Sequence, residues 1–328
     1  MIKRITSVLI VLSVLSCSKE NAEGQPPDQE INYKQEMRDF VKQISIYSKN
    51  LSNDFLIIPQ NGQQLVTKTG EANGALDLEY LSAIDGTGRE DLFYGYDNDN
   101  KPTSEDDTNF LLPFCDICEQ NGVEVLTTDY CSTHSKMDDS YARNNARGYV
   151  SFSAPERGLN VIPDYPEEPY HMNSEDIETL SDAKNFLYLI DPSGFSGKQA
   201  FISAVAETNY DVIIMDLFFD DVAFTASETE QLKTKQNGRK RLVVSYMSIG
   251  EAEDYRYYWN PDWSGHPPAW MDAENPDWEG NFKVKYWDAD WKVIIYGSDE
   301  AYLNKIINAG FDGVYLDIID GFEYFEEQ

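Results

Sequence analysis

Histidine and cysteine are scarce in this chain of 328 residues, at three and four copies, and cationic side chains are outnumbered, 26 Lys plus Arg against 58 Asp plus Glu. A formal net charge of −32 repels nucleic acid and anionic lipid, which argues against a nucleic-acid partner. Long apolar runs are also missing. The longest, Ser7 to Ser16, holds about ten residues where a bilayer-spanning helix needs roughly 20. Gly86-Thr-Gly88 is too short a pattern for a nucleotide-binding loop. The few cysteines cluster: Cys115, Cys118, Cys131 and His134 follow C-x2-C-x12-C-x2-H. That spacing superficially resembles a structural zinc site, while a disulfide or plain buried thiols remain open. His171 and His266 lie in proline-rich loops and receive no role.

What is present begins with an export signal. Lys3 and Arg4 precede the short apolar run, which ends in Leu-Ser-Val-Leu-Ser before Cys17. This is the pattern of a signal peptide over 1–16, with a lipobox-like end that makes Cys17 the expected lipidation site and sole membrane anchor. Ser18, rather than an acidic residue, follows it, which points to the outer membrane or cell surface. Residues 17–32 are polar with paired prolines and read as a tether. Residues 33–328 are then one domain, of a size typical of an α/β barrel.

Eight strands are expected: Phe55–Pro59, Tyr80–Asp85, Gly122–Thr128, Gly148–Ser153, Phe186–Ile190, Asp211–Asp216, Arg241–Met247 and Asp312–Asp317. Val212–Met215 and Leu242–Val244 are continuous apolar runs, the mark of parallel strands covered on both faces. Helix signals fall between the strands. Met37, Phe40, Val41, Ile44 and Tyr47 share a helical face; Ser227 and Glu230 fit a capping box for a helix stopping at Gly238; Ser298 suits the start of a helix closed by Gly310. Eightfold strand–helix alternation predicts an α/β fold, a (β/α)8 TIM-like barrel, with an open doubly wound sheet as the alternative.

Carboxylates follow several strand ends: Glu90, Asp91, Asp129, Asp216, Glu251, Glu253, Asp317 and Asp320. In a barrel these ends share one mouth. All six tryptophans, Trp259, Trp263, Trp270, Trp278, Trp287 and Trp291, lie within one proline-rich stretch. Indole faces stack on the C–H faces of sugar rings, though a long loop also needs aromatics to pack itself. Paired carboxylates beside aromatics suit glycoside hydrolysis, one acid protonating the leaving oxygen while the other attacks or activates water.

Two blocks carry a resemblance, Val-Val-Ser-Tyr-Met-Ser-Ile-Gly-Glu-Ala-Glu-Asp-Tyr-Arg-Tyr-Tyr-Trp at 243–259 and Gly-Phe-Asp-Gly-Val-Tyr-Leu-Asp-Ile-Ile-Asp at 310–320. They resemble the endo-α-1,4-polygalactosaminidase family, glycoside hydrolase family 114. Phe55–Gly62, Gly88–Tyr94 and Leu126–Tyr130 resemble it too. The blocks stand in a different order here, so the chain looks circularly permuted, which a barrel with neighbouring termini tolerates. The resemblance implies Asp317 as nucleophile and Glu90 as general acid/base. It places Asp216, Glu251, Arg256, Tyr246, Asn61 and Asp129 where substrate contact or pKa tuning occurs. Tyr130, Asp320, Trp259 and Trp270 complete the expected substrate-binding set. The implied partner is an amino-sugar polysaccharide, cleaved without cofactor or catalytic metal. The competing expectation is a surface lipoprotein that binds polysaccharide without cutting it.

Overall fold

The computed structural model of the protein describes residues 31–328. The signal segment, Cys17 and the tether up to residue 30 lie outside the described residues. Asn32, expected to end the tether, instead caps the first helix: its side chain accepts from the Gln35 N–H, and Tyr33–Leu51 is helical. Met37, Phe40, Val41 and Ile44 are buried on one face of that helix, as their spacing predicts.

Among the described residues, eight strands run parallel: β1 (Leu56–Pro59), β2 (Gly86–Glu90), β3 (Glu124–Tyr130), β4 (Val150–Ala154), β5 (Phe186–Leu189), β6 (Val212–Asp216), β7 (Leu242–Ser248) and β8 (Gly313–Asp317). One sheet has the order β1-β8-β7-β6-β5 and a second the order β2-β3-β4. Isolated parallel bridges join their edges at both ends, Gln60 to Gly88 beside β1 and β2, and Ser151 to Asn185 beside β4 and β5. Every strand therefore lies beside its neighbours in the chain. Val212–Met215 and Leu242–Val244 are buried throughout, as a sheet covered on both faces requires.

Seven strand expectations hold to within a few residues. The eighth is displaced. Tyr80–Asp85 is mostly the helix Leu78–Ala83, capped by Asp77, and β2 follows at once over Gly-Thr-Gly-Arg-Glu. Two glycines disguise this strand, because glycine weakens any strand signal. Packing demands them. A Cβ on Gly88 would stand 1.8 Å from the Tyr315 hydroxyl, and one on Gly86 would stand 2.6 Å from a Leu180 methyl.

Helices separate most strands, but the alternation is incomplete. The β4–β5 connection contains a long loop and only the 3-10 turn Leu180–Asp182. The expected capping box is shifted too: Thr225 and Glu228 form it, and the helix Ala226–Leu232 ends well before Gly238. The helix assigned to Ser298 starts later, at Tyr302, after Ala301. After β7 the chain forms a small antiparallel sheet in which Asn281–Val284 lies between Glu251–Glu253 and Met271–Glu274.

Candidate active site

The C-terminal ends of the parallel strands surround a cavity of about 590 Å³. Asn61 follows β1, Glu90 ends β2, Tyr130 ends β3, Asp216 ends β6 and Asp317 ends β8; all line it. Tyr246, Glu251, Arg256 and Asp320 line it as well. Nine of the expected residues, both catalytic candidates included, thus share one space.

The chain turns abruptly at three of these strand ends. Asn61, Asp91 and Ile318 all have left-handed backbones, with φ of 61°, 57° and 58°. For Ile318, a β-branched residue, this is an outlier costing on the order of 1–3 kcal/mol. The fit there leaves no room for a side chain at Gly250, whose Cβ would lie 2.3 Å from the Ile318 carbonyl oxygen.

Glu90 and Asp317 are each held by a phenol. The Tyr130 hydroxyl donates to Glu90 Oε1, and the Tyr246 hydroxyl donates to Asp317 Oδ2 at 2.6 Å. Asn61 clamps Glu90 from two sides, its Nδ2 donating to Oε2 at 3.3 Å and its Oδ1 accepting from the Glu90 N–H at 3.2 Å. Burial, and after it the nearby charge of Glu90, push the Asp317 carboxyl up to about 8. Asp320 is pushed up to about 6, again mainly by burial.

Beneath the carboxylates lies an aromatic floor. Tyr188 and Tyr315 meet edge to face at 5.1 Å and are buried. The Tyr188 hydroxyl donates to Gln60 Oε1 at 2.8 Å. The Tyr315 hydroxyl sits over Gly88 without a hydrogen-bond partner.

On the opposite wall Arg256 bridges two acids, reaching Asp216 at 2.7 Å and Glu253 at 2.6 Å. Burial keeps Asp216 raised above an ordinary carboxylate despite this cation. Glu251 is fully buried and committed elsewhere: it accepts from Lys283 at 2.7 Å, Asn275 at 2.8 Å and Asn281 at 3.4 Å.

Three expected contacts lie elsewhere. Asp129 precedes Tyr130, and adjacent strand residues face opposite ways. Tyr130 faces the cavity, while Asp129 accepts from the Phe93 and Tyr94 N–H groups, the Ser140 hydroxyl and the Asn144 amide. It is a structural anchor. Trp259 packs on Phe282 at 5.2 Å, and Trp270 packs between Trp263 and Trp291 at 5.1 and 4.9 Å. These indoles fill the base of the segment after β7 rather than the cavity. Trp278, which was not singled out, does line it.

Arg157 was also missed. It leaves the β4–β5 loop to pair with Asp91 at 2.9 Å and Asp99 at 2.7 Å, and its guanidinium lies 3.9 Å over the Tyr130 ring. Only the tight Pro155-Glu156-Arg157-Gly158 stretch after β4 could have signalled it. Cys115, Cys118 and Cys131 are free and buried, and His134 stacks on Tyr165 at 3.8 Å. Among the described residues no group of three or more His, Cys, Asp or Glu is placed to hold a metal, and no helix is long and apolar enough to cross a membrane.

Residues 182–328 match the model of Glycoside-hydrolase family GH114. This segment contains Asp216, Tyr246, Glu251, Arg256, Asp317 and Asp320, and leaves Asn61, Glu90 and Tyr130 outside. The matched segment is less than half of the chain. An uncharacterized protein of Methanocaldococcus jannaschii is 42% identical over 156 residues, 47% of this chain and 43% of that protein. Uncharacterized proteins of Thermotoga maritima and Deinococcus radiodurans are 36% and 38% identical over 124 and 125 residues, covering 38% of this chain and 37% and 38% of theirs. The chain thus spans less than half the length of these relatives.

Proposed function

We propose that this protein is a glycoside hydrolase that cleaves an amino-sugar polysaccharide of the polygalactosaminan type with Glu90 and Asp317 as its carboxylate pair. One observation carries the reading: two carboxyls from different strands enter one cavity, each held by its own tyrosine, and Asp317 is pushed up to about 8. A glycosidase needs one protonated and one ionised carboxyl side by side. In the ligand-free protein the proton at neutral pH rests on Asp317, the residue expected to act as nucleophile. For cleavage that proton must pass to Glu90, which then protonates the leaving oxygen while the Asp317 carboxylate attacks.

We extend the proposal to the architecture. The eight strands form a closed (β/α)8-like barrel that lacks a helix between β4 and β5, joined through the Gln60–Gly88 and Ser151–Asn185 bridges, and the order of the blocks is circularly permuted relative to the family. A colinear family model aligns with only one segment of a permuted chain, in keeping with a match over 182–328. Export and lipidation at Cys17, placing the domain at the outer membrane or cell surface, belong to the same reading.

Reducing-end release from partly deacetylated galactosaminan, by wild type and by Glu90→Gln and Asp317→Asn, tests it. Activity confined to the wild type supports the pair. Wild-type turnover in either variant removes that residue from the mechanism.

A further inference from the structure

Five of the six tryptophans pair with other aromatic rings. Among the described residues Trp278 pairs with no ring. Its side chain is 57% exposed and lines the carboxylate cavity. It stands at the tip of the hairpin formed by Met271–Glu274 and Asn281–Val284.

That tip is rigidly built. The Asn275 N–H donates to the Asn281 carbonyl at 2.7 Å, and the Asn281 N–H donates to the Trp278 carbonyl at 3.1 Å. The Gly280 N–H donates to Glu274 at 2.8 Å. Gly280 takes a left-handed φ of 85°, and a Cβ there would lie 2.6 Å from Asp254. The Gly280 carbonyl in turn accepts from the Asp254 N–H at 2.9 Å.

Glu251 fastens the hairpin to the end of β7. It pairs across the sheet with Lys283 and bonds Asn275 and Asn281, which flank the tip. A buried carboxylate with three donors on one hairpin fixes that hairpin relative to the cavity.

We infer that Trp278 is a stacking platform for a pyranose ring at the cavity mouth, and that Glu251 is the positioning residue that presents it. A largely exposed indole with no aromatic partner, beside a polar cavity, fits a ring with apolar C–H faces and hydroxyl edges. The inference rests on the glycan reading. It changes the role of Glu251 from substrate contact to hairpin anchor.

The test is calorimetric titration of residues 18–328 with a panel of tetrasaccharides of galactosamine, N-acetylgalactosamine, glucosamine and glucose, alongside hydrolysis assays on the polymers. Trp278→Ala is expected to weaken the best ligand about ten-fold, a factor equivalent to an aromatic stacking contact of roughly 1.4 kcal/mol. Trp278→Phe is expected to restore most of the affinity. Glu251→Gln and Asn275→Ala, with the indole intact, are expected to weaken binding and make the hairpin amides exchange faster. Wild-type affinity in Trp278→Ala, or no binding of any panel sugar by the wild type, overturns the platform. Unchanged binding and exchange in both Glu251→Gln and Asn275→Ala overturns the role of Glu251. Binding without hydrolysis would instead refute the glycosidase reading and leave the platform standing.

Discussion

The Tyr246 hydroxyl donates a 2.6 Å hydrogen bond to Asp317, a carboxyl that burial and Glu90 have already pushed up to about 8. The bond favours the ionised form and restrains that shift. Tyr246→Phe should therefore move the titration of Asp317 upward by on the order of one unit, since a hydrogen bond to a charged group contributes about 1.5–3 kcal/mol. The expected outcome is a pH–rate profile with its Asp317 limb displaced to higher pH and a fall in kcat/KM of roughly tenfold or more. A profile superposable on the wild type would detach Tyr246 from the acid–base chemistry.

Several carboxyls are raised by burial: Asp91 and Asp320 to about 6, Glu119 to about 7 and Asp317 to about 8. The folded protein holds these protons more tightly than the unfolded chain does. Their contribution to stability is therefore fullest below about pH 4 and is lost as pH rises from there through about 8. Asp317→Asn removes the largest of these four shifts. It should raise Tm by several degrees at pH 8, equivalent to about 2 kcal/mol, and change it little at pH 4.5. Thermal melts across that range check the sign.

The Tyr315 hydroxyl is buried without a partner, and an unsatisfied buried hydroxyl costs about 1–3 kcal/mol. Tyr315→Phe should raise the urea midpoint. Gly88→Ala should do the reverse, since its Cβ would fall 1.8 Å from that same oxygen. An unchanged midpoint in both variants would contradict the packing described here.

Lys235 and Asp211 form an ion pair at 2.9 Å with both side chains fully buried. Lys235→Met leaves Asp211 charged and unpaired, a loss of about 3–5 kcal/mol. The double variant with Asp211→Asn should recover part of that loss. Equilibrium urea unfolding of the wild type, Lys235→Met, Asp211→Asn and the double variant measures the coupling.

The apolar strands were legible because Val212–Met215 and Leu242–Val244 are buried on both faces and carry that in their composition. β2 was not, because close contact with Tyr315 and Leu180 requires glycines whose reason lies far along the chain. Carboxylates at strand ends marked the cavity, and nine of the expected residues meet there. The side toward which a residue points was harder to read. Asp129 and Tyr130 differ by one position and face opposite ways, and the exact start of β3 decides which enters the cavity. Tryptophans gave the least guidance, since an indole filling a loop and one presented to solvent look alike until the hairpin around Trp278 is in place.

Tyr188 and Tyr315 seal the cavity from below, the second phenol occupying the space a side chain on residue 88 would otherwise fill. The mouth is therefore both entrance and exit. Whatever reaches the carboxylates cannot pass on through the core between Tyr188 and Tyr315, and must leave by the face through which it came.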